Sequence, residues 1–184
     1  MPFEHYVTAG GKRLRCGYTT GTCAALAAAA AARLLLTGRA PETVSLRTPK
    51  GWVVEVPVED LHLEEGAACC CVVKDGGDDV DATHGLPICA RVESAAGEAL
   101  LLRGGPGVGR VTRPGLDQPV GEWAINRVPR QMIREAVDAV RRELDEAGGL
   151  RITISVPGGE EAARRTFNPH LGVEGGISIL GTSG

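Results

Sequence analysis

The run Cys23–Leu36 consists of alanine and leucine apart from Cys23 and Arg33. Alanine gives up no side-chain freedom in a helix, and leucine gives up little, so this stretch has one favourable regular conformation. Thr19-Thr20-Gly21-Thr22 stands before it, where threonine hydroxyls can cap the first turn. Thr37-Gly38 stands after it, where glycine supplies the left-handed residue that closes a helix. The chain must therefore be organised around one alanine-rich helix. The alanine run Ala24–Ala32 is too short to span a bilayer.

Around that helix the sequence alternates between strands and turns. Thr43–Thr48 and Trp52–Val58 are rich in β-branched residues and flank Pro49-Lys50-Gly51, which predicts a β-hairpin. Ala68–Val73 is a short apolar run that stops at Lys74-Asp75-Gly76-Gly77-Asp78-Asp79, the mark of a buried strand entering a glycine-rich acidic loop. Ile88–Glu93, Leu100–Leu102 and Arg151–Val156 read as further strands. Met132, Ile133, Ala136, Val137, Val140 and Leu144 fall on one face of a second helix that starts near Pro129. A short third helix is expected over Glu160–Arg165. Strands outnumber helices and include a hairpin, so the expected class is α+β, a mixed β-sheet with helices packed on one side. The last residues, 175–184, read as a strand entering a Gly/Thr/Ser turn, and the expected division is a domain over residues 1–174 with the start of a second at 175–184. Strand followed by such a turn is how a nucleotide site often begins, which makes Gly181 and Thr182 candidate cofactor contacts.

Charge and composition remove several classes of function. With 20 Lys+Arg against 23 Asp+Glu, no global basic field draws the chain to nucleic acid or an anionic membrane. Two Phe, two Trp and two Tyr are too few for a base-stacking platform. Neither nucleic acid nor a membrane is an expected partner; a homo-oligomer is an open option. The six cysteines, among them the consecutive Cys69, Cys70 and Cys71, include no C-x-x-C pair. Neighbouring strand residues point to opposite faces, so the three sulfurs do not converge on one ion, and free cysteine packs as a small hydrophobe. No secretory signal is visible, and a cytoplasmic protein is the expectation.

Four constellations could carry chemistry. Thr19, Thr20, Gly21 and Thr22 open the alanine helix, where unpaired N–H groups, hydroxyls and the positive dipole end suit a carboxylate or phosphate; ordinary capping is the other reading. The loop Asp75–Gly85 gathers Asp75, Asp78, Asp79, Asp81 and His84, which could serve as a proton donor and acceptor set, a cation site or a solvated turn. It does not match a calcium hand, because His84 would occupy the obligatory glycine position. Gly105, Gly107 and Gly109 are spaced so that backbone could approach a ligand, although the dinucleotide fingerprint is incomplete. Arg113 and Arg130 lie in an arginine-rich stretch suited to gripping carboxylates.

The order and wording of these motifs add a resemblance. Leu14-Arg15-Cys16-Gly17-Tyr18-Thr19-Thr20-Gly21-Thr22-Cys23-Ala24-Ala25, Val73-Lys74-Asp75-Gly76-Gly77-Asp78-Asp79 with Asp81-Ala82-Thr83-His84-Gly85, and Gly105-Pro106-Gly107-Val108-Gly109 with Thr112-Arg113-Pro114-Gly115-Leu116 resemble the CbiD family of cobalt-precorrin-5B C(1)-methyltransferases. So do Pro119-Val120-Gly121-Glu122 and Ser155-Val156-Pro157-Gly158-Gly159-Glu160-Glu161. The resemblance implies methyl transfer from S-adenosyl-L-methionine to C-1 of cobalt-precorrin-5B in anaerobic cobalamin synthesis. It also implies an N-terminal α+β domain like the second domain of ribosomal protein S5, followed by a Rossmann-like domain that holds most of the methyl-donor site. Family chains are about twice as long, so the expectation is a part that keeps some of the tetrapyrrole surface and is inactive alone. Substrate contacts are then expected from Thr19, Thr20, Gly21, Thr22, Gly105, Gly107, Gly109, Arg113 and Arg130, and proton transfer from Asp75, Asp78, Asp79 or His84. Cobalt belongs to the substrate and no protein-bound catalytic metal is expected. Two rivals are a non-catalytic module that binds a corrinoid or another polyanion, and a small-molecule kinase, which the missing G-x-x-x-x-G-K-[ST] element argues against.

Overall fold

A computed structural model of the chain describes residues 3–181. The first hairpin, β1 (Tyr6–Ala9) and β2 (Lys12–Arg15), turns through Gly10 and Gly11, both at positive φ. Helix α1 (Thr20–Thr37) follows, capped by the Thr19 hydroxyl and closed by Gly38, a left-handed residue whose N–H donates to the Leu34 carbonyl at 2.8 Å. The expected second hairpin is β3 (Thr43–Arg47) with β4 (Val53–Pro57). Then come β5 (Glu59–Glu64), β6 (Ala67–Val73), β7 (Pro87–Ala95) and β8 (Leu100–Gly104), and the two-residue strands β9 (Gly107–Val108) and β10 (Arg110–Val111). Helix α2 (Arg127–Glu143), β11 (Gly149–Ser155), α3 (Gly159–Ala163), α4 (Asn168–Leu171), β12 (Val173–Glu174) and β13 (Gly176–Ile177) complete the order.

The main sheet runs β5-β6-β7-β11-β8, antiparallel except for the parallel β11–β8 pair. The class is mixed α+β, as expected. One face of the sheet is apolar by simple alternation: Ala68, Cys70 and Val72 of β6, Ile88, Ala90 and Val92 of β7, and Leu150, Ile152 and Ile154 of β11 are all buried. Helix α1 lies on that face, and α2 packs against α1 through Met132, Ile133, Val137 and Val140. The alanines explain themselves here. Ala24, Ala25, Ala27 and Ala28 have no exposed surface, because α1 is enclosed on all sides and only small side chains let its backbone approach both sheet and helix. By length and composition α1 could cross a membrane, but here it is the centre of the core.

One expectation needs correction, and two features go beyond the sequence reading. The cysteines are not all free: β6 and β7 pair in a register that sets Cys71 directly opposite Cys89, and the two form a disulfide. Hairpin β1–β2 and strand β5 are additional elements; their residues are mostly exposed, so apolar runs do not mark them. Of the stretch read as the start of a second domain, Ile177 and Ile179 are buried in the core cluster and β13 pairs with β9.

Candidate functional site

The acidic loop leaves the end of β6 and is bound at once to the segment that follows β2. The Asp78 N–H donates to the Arg15 carbonyl at 3.0 Å, and the Tyr18 N–H donates to the Asp75 carbonyl at 3.0 Å. Such an approach needs glycine on both sides. A Cβ on Gly17 would stand 2.2 Å from the Asp75 carbonyl oxygen, and one on Gly77, at φ +67°, would stand 2.4 Å from that of Arg15.

The loop's charged groups are arranged around this join. Arg15 donates through both terminal guanidinium nitrogens to the Asp75 carboxylate, at 2.5 and 2.8 Å. That pair, helped by the Gly77 N–H at 2.8 Å, holds Asp75 below the usual carboxylate range. Asp78 accepts the Arg15 N–H at 2.7 Å. His84 accepts the Gly76 N–H on Nδ1 at 2.9 Å, which leaves its proton on Nε2. Asp81 accepts from the Thr83 N–H and hydroxyl at 2.8 and 2.6 Å and is ion-paired to Lys74.

Lys74 is the residue that sequence reading passed over. It continues the buried parity of β6 after Ala68, Cys70 and Val72, and only 6 % of it is exposed. Burial lowers the pKa of its ammonium, while Cys23, Asp79 and Asp75 pull it back up. The neighbouring Cys23 thiol is pushed up to about 12 by its burial and is not a nucleophile at neutral pH.

These elements enclose a cleft of about 700 Å3. One wall is Arg15–Thr20, another the stretch Asp78–Thr83, and a third Arg165–Asn168 with Ile177, Ser178 and Leu180; Lys74 and Lys50 also line it. Its border carries large apolar groups open to solvent, Val80 fully so and Phe167 at 79 %. The cleft thus brings together cations, the carboxylates of Asp78, Asp79 and Asp81, and exposed apolar side chains. A second groove, about 590 Å3 between β3 and α2, has an alanine floor rimmed by the Arg33–Glu143 pair and gathers no comparable donor set.

The expected site residues divide sharply. Thr19, Thr20, Asp78 and Asp79 line the cleft. Asp75 and His84 sit on the other side of the loop, beside a smaller depression next to Tyr18. Gly21 and Thr22 are buried: the Gly21 N–H donates to the Leu180 carbonyl at 2.7 Å, and the Thr22 N–H to the Thr19 hydroxyl at 3.1 Å. Two of the helix's free donors are thereby occupied by the protein itself. Gly105, Gly107 and Gly109 permit internal packing, since added Cβ atoms would meet Thr153 at 3.1 Å, the Val156 carbonyl at 1.9 Å and Val173 at 2.4 Å. Arg130 donates to the Ile125 and Trp123 carbonyls at 2.6 and 3.1 Å, and Arg113 to that of His170 at 3.1 Å; neither lines the cleft. Gly181 packs on Pro129, and Thr182 lies outside the described residues. The cations that do reach the cleft are Arg15, Lys50, Lys74 and Arg165. Lys74 had a sequence signal, a lysine in phase with a buried strand; Lys50 and Arg165 had none.

A family model described as CbiD matches residues 7–184. A protein named cobalt-precorrin-5B C(1)-methyltransferase from Thermoanaerobacter sp. (strain X514) is 54% identical over 98% of this chain and 49% of its own length. One of the same name from Geobacillus kaustophilus (strain HTA426) is 54% identical over 94% of this chain and 46% of its own. The crystal structure of a cobalamin biosynthesis protein (cbiD) from Archaeoglobus fulgidus superposes with a TM-score of 0.73 at 40% identity, over 97% of this chain and 56% of that one. The chain spans about half the length of the curated relatives it matches.

Proposed function

Because the chain belongs to the CbiD family, we propose that it forms the tetrapyrrole-holding part of a cobalt-precorrin-5B C(1)-methyltransferase, and that the cleft beside the acidic loop receives the substrate. The observation that carries this reading is the convergence on one cleft of Lys50 and Arg165, which make no side-chain bond among the described residues, with the exposed apolar groups Val80 and Phe167. A corrinoid precursor presents a broad ring edged with carboxylate arms, and those groups complement each other in kind. Lys50 and Arg165 grip arms at the rim, and Phe167 and Val80 cover ring surface. Lys74 lines the same cleft with its charge balanced by Asp81.

Transfer from the sulfonium of S-adenosyl-L-methionine is an in-line displacement with an already activated donor, so the protein's share is position and electrostatics. If conversion of the methylated ring requires loss of a proton, Asp79 is the preferred acceptor: it lines the cleft and makes no side-chain bond among the described residues, whereas Asp75 is occupied by Arg15. On this reading the domain is the counterpart of the second domain of ribosomal protein S5, and a Rossmann-like domain supplies most of the donor site. Cobalt enters as part of the substrate.

Titration with cobalt-precorrin-5B tests the proposal. Saturable binding that weakens about tenfold in Arg165→Ala, a loss of about 1.4 kcal/mol, supports it. Equal affinity in wild type and variant removes the cleft from the binding surface.

A further inference from the structure

The sheet face turned away from α1 carries a donor set that the tetrapyrrole cleft does not use. His62 and Glu64 lie two residues apart on the regular part of β5 and so share one side, and the β5–β6 register places Cys69 directly opposite His62. Asp60 sits at φ +45°, in the irregular part of the strand, and from there both its backbone carbonyl and its carboxylate face the imidazole: His62 Nδ1 is 3.0 Å from the Asp60 carbonyl oxygen and 3.1 Å from Oδ1. This fixes the ring and leaves Nε2 outward. Nε2 is 3.6 Å from Glu64 Oε2, and the Cys69 thiol points at Glu64 Oε1 from 3.2 Å.

We propose that His62 Nε2, the Glu64 carboxylate and the Cys69 sulfur form a binding site for a borderline-soft divalent cation of the zinc or cobalt(II) type, with Asp60 orienting the histidine. Two donors bound to one tetrahedral ion at about 2.0–2.3 Å stand roughly 3.3–3.6 Å apart, and the separations above are already of that order. All three donor atoms lie within 4.8 Å of one another. An imidazole held through its other nitrogen by a carboxylate and a carbonyl is the usual support of a histidine ligand. One nitrogen, one oxygen and one sulfur leave a fourth position for water and select zinc-like ions over calcium or magnesium, which prefer oxygen alone.

Binding costs a proton. The ion displaces the Cys69 thiol proton, which now faces the Glu64 carboxylate, to solvent as the metal–sulfur bond forms. Arg91 Nε, 3.3 Å from Glu64 Oε1, must give way, and it has an alternative partner in Glu93.

Titrating the 184-residue chain with cobalt(II) alone, then displacing it with zinc(II), tests the site. The expected result is one ion per chain with a sulfur-to-cobalt charge-transfer absorption that vanishes in Cys69→Ser and whose midpoint rises at least tenfold in His62→Gln. Both positions are partly exposed, and circular dichroism checks that the variants fold. The double variant Cys71→Ser/Cys89→Ser should keep the band. Absence of a charge-transfer band, its survival in Cys69→Ser, or its loss only in the double variant would each overturn the assignment.

Discussion

Arg15 and Asp75 meet end to end through two hydrogen bonds, 2.5 and 2.8 Å, across sixty residues of chain. This pair ties the segment before α1 to the loop after β6 and so builds one corner of the cleft. It also engages both oxygens of Asp75, the first carboxylate of the loop.

The pair makes a pH prediction. Arg15 holds the Asp75 carboxyl below its ordinary value in the folded state, so its stabilisation is complete above the unfolded pKa of about 3.9 and disappears as pH falls through the lower folded value. Asp75→Asn should therefore lose about 1 kcal/mol at pH 7 and nothing at a pH below the folded value. Urea unfolding of both proteins across that range measures it. A gap that persists in acid would contradict the ion-pair account.

Gly77 and Gly85 both have positive φ, but only Gly77 is crowded. Gly85→Ala meets no atom within 4 Å and should cost about 1 kcal/mol of backbone strain. Gly77→Ala adds a collision with the Arg15 carbonyl and should cost at least about 2 kcal/mol. Denaturation midpoints of the two variants test the order.

Lys74 and Asp81 are not equivalent partners, because the lysine is 6 % exposed and the Asp81 side chain 28 %. Asp81→Asn strands a buried ammonium and should cost about 3 kcal/mol, whereas Lys74→Met leaves a carboxylate that water can reach and should cost less. If Lys74→Met proves the more damaging, the buried-cation reading is wrong.

Much of this was legible in the sequence. Propensity and capping located α1 to within a few residues, and the alternation of Ile152 and Ile154 with polar neighbours located β11. What periodicity could not reveal was pairing. Cys71 and Cys89 are joined by strand register, and Gly107 and Val156 by a backbone contact between distant segments. The candidate cleft was partly legible for the same reason. The loop Asp75–Gly85 and the start of α1 stood out in the sequence, and the structure sets them side by side. But Arg130 donates to two main-chain carbonyls and Arg113 to one, and neither lines the cleft, while Lys50 and Arg165 reach it from a turn and a helix end that carry no motif.

That difference separates two kinds of arginine. Arg130→Ala removes donors to the Ile125 and Trp123 carbonyls and should cost about 1–3 kcal/mol of stability, with little direct effect on ligand affinity. Arg165→Ala should leave the unfolding midpoint unchanged and weaken ligand binding. Thermal unfolding and ligand titration on the same two variants distinguish them.

The central claim is that the cleft beside the acidic loop holds the carboxylate-bearing ring, and the affinity of cobalt-precorrin-5B for wild type and for Lys50→Ala/Arg165→Ala tests it most directly. The account predicts one ligand per chain and a Kd raised more than tenfold in the double variant, with both proteins equally stable. Identical dissociation constants would place the ring elsewhere and contradict it.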